Sequence, residues 1–142
     1  MTTASGGTIP EGMWALNEER SKPLLPGRQT LWVLKDDGQS FVWVIVLVNE
    51  QGAQVISNNG SYDGPPQQVT GAPMIVQTIT TGPNSLKNFG TIEGAGDYFE
   101  NCVLSSDGKR LTCTGELNAG GQITPFVDDF DWFGEGPPSA RI

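Results

Sequence analysis

The chain has 142 residues, among them 19 glycines and 10 prolines, and eight basic against sixteen acidic residues give it a net charge of −8. Such a surface repels phosphate backbones, and no basic stripe with interleaved aromatics offsets it, so nucleic acid is not expected as a partner. Histidine is absent, which removes the commonest metal ligand and the commonest general base near neutral pH; two cysteines alone do not complete a zinc site, and no metal is expected.

The opening "MTTASGGTIPEG" has neither a basic nor an apolar segment of the kind that directs secretion. The longest apolar run, "FVWVIVLV" at 41 to 48, is too short for a membrane helix. A soluble, cytoplasmic protein with no membrane partner is the expectation. The length fits a single domain over residues 1–142, with 1–11 and 134–142 as irregular or flexible ends.

Turn signals then recur down the chain: "DDGQ" at 36, "EQGA" at 50, "YDGPP" at 62, "TTGPN" at 80, "IEGAG" at 92, "SDGK" at 106 and "NAGGQ" at 118. Between them lie runs rich in Val, Ile, Thr and aromatics, and only "WALNEERS" offers a turn or two of helix. "GAGDYF" lacks the following helix that a dinucleotide-binding loop must open, so no organic cofactor is expected either. Strands joined by short loops lie beside their sequence neighbours, and about eight of them remove their exposed edges by closing into an up-and-down antiparallel barrel. The fold class is therefore all-β, with a two-sheet sandwich as the competing architecture.

"GMWALNEERSK", "TLWVLKDDG", "GSYDGPPQQVTGAP" and "LSSDGKRLTCTG" together resemble the small bacterial lipocalin-like (calycin-type) barrel domains. These open on a Gly-x-Trp-x-Leu-Asn segment and carry a Tyr-Asp-Gly turn and a Ser-x-Asp-Gly-Lys hairpin. The resemblance spans residues 12 to 131 and implies a barrel with Trp14 plugging one end. It implies no catalytic residue, because its motifs are turns and a closing tryptophan.

Strand parity selects the inward side chains. A two-residue turn at Asp37-Gly38 sets Trp32 against Trp43 and Leu34 against Phe41, bulky enough to be the inner face. The other face, with Val42, Val44, Val46 and Val48, is apolar as well. It needs a cover, either a terminal segment or the partner in a homodimer, and the dimer is preferred. Gln51-Gly52 as the next turn turns Asn58 inward, with Tyr62 on the same parity if no bulge intervenes.

Asp107-Gly108 sets Leu104 against Leu111, Cys102 against Cys113, Glu100 against Gly115 and Tyr98 against Leu117, all inward; glycine opposite Glu100 leaves room for its carboxylate. On this count the cysteines form a hydrogen-bonded pair, poorly directed for a disulfide, and two buried thiols are preferred in a reducing compartment. Gly120-Gly121 as a two-residue turn brings in Phe126, Asp128, Phe130 and Trp132; one residue more would bring in Val127 and Asp129 instead.

A carboxylate carried into an apolar interior has its pKa raised toward neutrality, which suits proton transfer. The expected site is therefore Glu100, Tyr98 and Asp128 as acid/base groups. Around them Trp32, Trp43, Phe41, Asn58, Tyr62, Phe126 and Phe130 would hold a hydrophobic small molecule. Three functions follow: a cofactor-independent isomerase, cyclase or lyase; a barrel that binds the same ligand without turning it over; or an oligomeric assembly protein built on the valine face.

Overall fold

The computed structural model describes residues 9–135. They form ten strands: β1 Gly12–Leu16, β2 Arg28–Asp36, β3 Ser40–Asn49, β4 Gly52–Ser61, β5 Gln67–Gln68, β6 Met74–Gly82, β7 Ser85–Ile92, β8 Gly96–Leu104, β9 Arg110–Ala119 and β10 Gln122–Gly134. All pair antiparallel in one sheet of order β4-β3-β2-β1-β10-β9-β8-β7-β6-β5. The sheet curls until β4 meets its far edge through isolated bridges, Ser57 with Thr70 and Tyr62 with Thr78, leaving a nearly closed barrel. Ten strands replace the expected eight, the extra count including the two-residue β5. Among the described residues no helix is long and apolar enough to cross a membrane.

The last two hairpins keep the counted register. Glu100 pairs with Gly115 and Cys102 with Cys113, while Gly115 pairs with Phe126 and Cys113 with Asp128. Glycines at positive φ carry both turns, Gly108 in one and Gly120 with Gly121 in the other.

The cysteines depart from expectation: Cys102 and Cys113 are joined by a disulfide. Ser105 N–H bonds to Arg110 O, so the turn is wider than the two residues counted, and the hydrogen-bonded and non-hydrogen-bonded pairs exchange places along the ladder. Cys102 and Cys113 thereby fall on a narrow pair, with Cα atoms 4.0 Å apart, where facing side chains lie close.

At the β2–β3 hairpin the expected register fails. Asp36 pairs with Phe41 and Lys35 with Val42, and Leu34 is then skipped as a bulge before Val33 meets Trp43. One extra residue reverses the parity of everything before it. Leu31 and Val33 consequently point inward, and Trp32 is carried to the outer wall between Met13 and Val44. The reversal is driven from the turn. Asp36 is buried, and its carboxylate accepts from Tyr62 Oη at 2.6 Å, Ile9 N at 3.1 Å, Gly38 N at 3.1 Å and Trp43 Nε1 at 3.3 Å.

That cluster closes one end of the barrel. Trp14 is fully buried there, its indole N–H donating to Pro10 O at 3.0 Å, and Ile9 is 3% exposed. Phe41 stacks on Trp43 with centroids 3.6 Å apart, and Tyr62 meets both rings edge-on. Ile9 thus belongs to the core, although it lies within the span expected to be irregular; residues 1–8 and 136–142 lie outside the described residues.

The segment between β1 and β2 continues the pairing of β1 along the edge of β10. Lys22 and Val127 exchange both backbone hydrogen bonds, and Asn17 N–H donates to Asp129 O. Asp129, 2% exposed, accepts from Arg110 Nη2 at 2.7 Å and Arg20 Nη2 at 3.2 Å. Burial would raise its pKa, but the bonds and charges of Arg110 and Arg20 overcome this and hold it below the usual aspartate range. The late acidic run is therefore split by parity, with Asp129 in an outer-wall ion cluster and Asp128 facing the interior.

Candidate functional site

Above the sealed end the barrel encloses a cavity of about 570 Å³, within the range of small-molecule sites. Its walls are chiefly apolar, with Leu31, Ile45, Leu47, Val76, Leu117 and Phe130 from strands all round the barrel. Pro23, Leu24 and Leu25, from the segment before β2, reach the same cavity. They join it at the end carrying the β3–β4, β7–β8 and β9–β10 turns, opposite the plug of Trp14 and Ile9. The polar lining is concentrated in Asn58, Asn88, Tyr98, Glu100 and Asp128.

Glu100 is placed by the alternation of β8 and held by β7. The turn at Glu93–Ala95 sets Asn88 opposite Glu100, and Asn88 Nδ2 donates to Glu100 Oε2 at 2.8 Å. Thr78 on β6 completes the chain, its hydroxyl donating to Asn88 Oδ1 at 2.6 Å. Thr78 and Asn88 are both buried, so the amide is fixed with its N–H toward the carboxylate. Burial pushes the Glu100 pKa up; the Asn88 hydrogen bond opposes this and the charge of Asp128 adds to it, leaving the carboxyl at about 7.

Asp128 enters from β10, where it pairs with Cys113, and burial raises its pKa to about 6. Its Oδ1 is buried without a hydrogen-bond partner, as is Oδ1 of Asn58. Tyr98 follows Glu100 by one inward step along β8. Its phenol is held in the neutral form well above its ordinary pKa, by burial first and by the Glu100 charge second. These three groups, from two strands separated by β9, face one enclosure.

The two sulfurs of the disulfide and a Glu100 carboxylate oxygen lie within 4.8 Å of one another. Bonded to each other, the sulfurs present no thiolate, and here they are an apolar floor beside the carboxyl.

The aromatic frame differs from the expected one. Trp43 and Phe130 line the cavity, but Trp32 is on the outer wall. Phe41 and Tyr62 are inside yet lie in the sealed end, Tyr62 bonded to Asp36, and neither lines the cavity. Phe126 has the inward parity, but its ring lies over Gly115, with Cζ 2.8 Å from where a Cβ would stand. The room at Gly115 is taken up by the β8 backbone and the Phe126 ring, not by the Glu100 carboxylate as its glycine partner suggested. Parity distinguishes inside from outside; it does not give height along the barrel.

Asn88 is the residue that sequence reasoning missed. Its signal was present: Ile92 and Gly96 flank "EGA", and counting outward from them pairs Asn88 with Glu100. Neither Arg110 nor Lys87, on strands next to or carrying the Glu100 network, pairs with its carboxylate. Arg110 binds Asp129, and Lys87 Nζ lies 5.6 and 5.3 Å from the Phe89 and Phe99 ring centroids. Compared with protein-family models, curated proteins and solved structures, the chain matches none.

Proposed function

We propose that this barrel is a small, cofactor-independent enzyme of lipocalin-like type that isomerises, cyclises or eliminates on a hydrophobic molecule held in its lumen. The observation that carries the reading is Glu100. An ionisable carboxyl fixed by Asn88 faces an apolar cavity, with a pKa at working pH and an unengaged phenol one inward step away. A group half in each protonation state can remove a proton from carbon and return it at another position. Tyr98 stays neutral and can donate a hydrogen bond to an enolate oxygen as charge develops there. Asp128 keeps a second negative charge nearby, which biases Glu100 toward its protonated form.

The test begins with native mass spectrometry of protein purified from its host, which identifies a retained small molecule. With that compound as substrate, Glu100→Gln is expected to lower turnover by about 10²–10⁴-fold while retaining binding. Tyr98→Phe is expected to lower kcat more than it raises KM. A compound that binds and dissociates chemically unchanged, with both variants altering only affinity, would make the protein a binding barrel instead.

We also propose a homodimer formed through the outer face of β2–β4. Its support is the unbroken apolar strip of Trp32, Val42, Val44 and Val46, continued by Val48 and Val55, which are 38% and 54% exposed. Val44→Lys is expected to convert a dimer to monomer in analytical ultracentrifugation. A wild-type monomer at all concentrations would rule the dimer out.

A further inference from the structure

We propose that the molecule taken into the lumen is a hydrophobic amine, its protonated nitrogen held between Asp128 and Glu100; this rests on the reading of the lumen as a small-molecule site and names the substrate class. The first support is the inventory of the lining. Among the described residues its titratable groups are Tyr98, Glu100 and Asp128, and neither lysine nor arginine reaches it. Two carboxyls share a chiefly apolar cavity with no cation of the protein's own among its lining residues. A neighbouring carboxylate one residue along, Asp129, has two guanidinium partners on the outer wall. The barrel supplies cations outside and withholds them inside.

The second support is the hydrogen bonding. Among the described residues the buried side-chain atoms left without a partner, Asp128 Oδ1 and Asn58 Oδ1, are both acceptors on residues lining the lumen. Glu100 accepts a single donor, Asn88. What the site lacks is N–H donors carrying positive charge, and an ammonium brings three. A neutral alcohol or ketone would leave the carboxylates uncompensated in apolar surroundings, and a carboxylate or phosphate ligand would add a third like charge. The net charge of −8 acts in the same sense at longer range, drawing cations toward the mouth and repelling anions.

The rest of the lumen fits the remainder of such a molecule. The apolar walls accept a hydrocarbon body. Burial is the main cause of the raised Glu100 pKa, and an ammonium beside Asp128 offsets the Asp128 charge that adds to it. Substrate binding would then release a proton and convert Glu100 to the basic form that proton abstraction needs.

Isothermal titration of the full-length protein with octylamine, octanol and octanoate separates the possibilities. At about pH 8 the amine is expected to bind at least about tenfold more tightly than the alcohol, with octanoate weakest. The preference is expected to shrink toward pH 5, where Glu100 and Asp128 are protonated and Tyr98 remains neutral. Titration near pH 7 in two buffers of different ionisation enthalpy is expected to show proton release. Asp128→Asn and Glu100→Gln, each confirmed folded by circular dichroism, are expected to lower the ratio of octylamine to octanol affinity. Octanol binding as tightly as octylamine overturns the amine inference and leaves the lumen reading standing. An amine preference that survives in both variants also overturns it, since the amine would then sit elsewhere. Failure of all three probes to bind overturns the lumen reading itself.

Discussion

Replacing Glu100 by glutamine is expected to stabilise the protein above neutral pH and to leave it nearly unchanged in acid. The sign follows from the raised pKa. Folded, the carboxyl titrates at about 7; unfolded, it titrates near 4.5, so between those values the folded state holds more protons than the unfolded. Wild-type stability therefore falls as pH rises through that window, and the full cost persists above it. The shift corresponds to on the order of 2–3 kcal/mol once discounted for the water a ligand-free lumen admits. Glutamine keeps the size and the contact with Asn88 without the charge, and removes that cost. Urea unfolding of both proteins at about pH 4.5, 6 and 8 checks this, since titrating groups not coupled to Glu100 cancel in the difference. Parallel pH profiles would mean that Glu100 is solvated, and would remove the physical basis for proton transfer by this residue.

Replacing Asp36 by alanine is expected to lower stability by about 4 kcal/mol, the largest single loss expected in the sealed end. The carboxylate accepts from donors on three separate stretches of chain, Ile9 N, Trp43 Nε1 and Tyr62 Oη, besides Gly38 N within its own turn. Burial raises its pKa, although all four hydrogen bonds act in the opposite direction, Tyr62 most strongly. Removing the acceptor leaves those donors facing an apolar core, each with its desolvation uncompensated. Tyr62→Phe removes one donor and leaves the acceptor engaged, so it is expected to cost about 1–2 kcal/mol. In a double-mutant cycle the pair is expected to cost clearly less than the sum, because phenylalanine spares Asp36→Ala one orphaned hydroxyl. Denaturant unfolding of the four proteins measures this, and strict additivity would mean that the Asp36–Tyr62 bond contributes nothing.

From Gly96 onward the amino-acid sequence by itself determined the strands and the register of β8 with β9, and left two parities for β10, of which the structure takes the preferred one. Asp107-Gly108 and Gly120-Gly121 are short turns whose glycines accept positive φ, so pairing proceeds outward by simple counting and alternation does the rest. That local arithmetic is why Tyr98, Glu100, Asp128 and Phe130 were legible as lumen residues. Asn58 survived even a misplaced turn: Trp43, not Ile45, is its partner, but a slip of two residues preserves the face.

Only the tertiary structure decided the bulge at Leu34. It is set by where Asp36 finds its donors, 27 residues upstream at Ile9 and 26 downstream at Tyr62, and no local pattern encodes so distant a bond. That choice sent Trp32 outward and brought Leu31 and Val33 in. Height along the barrel was equally invisible, because alternation repeats every two residues while depth depends on strand stagger and on what plugs the end. Phe41 and Tyr62 were thus rightly inward yet belong to the sealed floor, and Phe126 covers a glycine. The disulfide turned on the width of a turn that local sequence leaves open, since the same register can place Cys102 and Cys113 on either kind of pair. Periodicity is a property of neighbouring residues; closure, depth and partner choice arise from contacts between strands that meet only when the sheet curls shut.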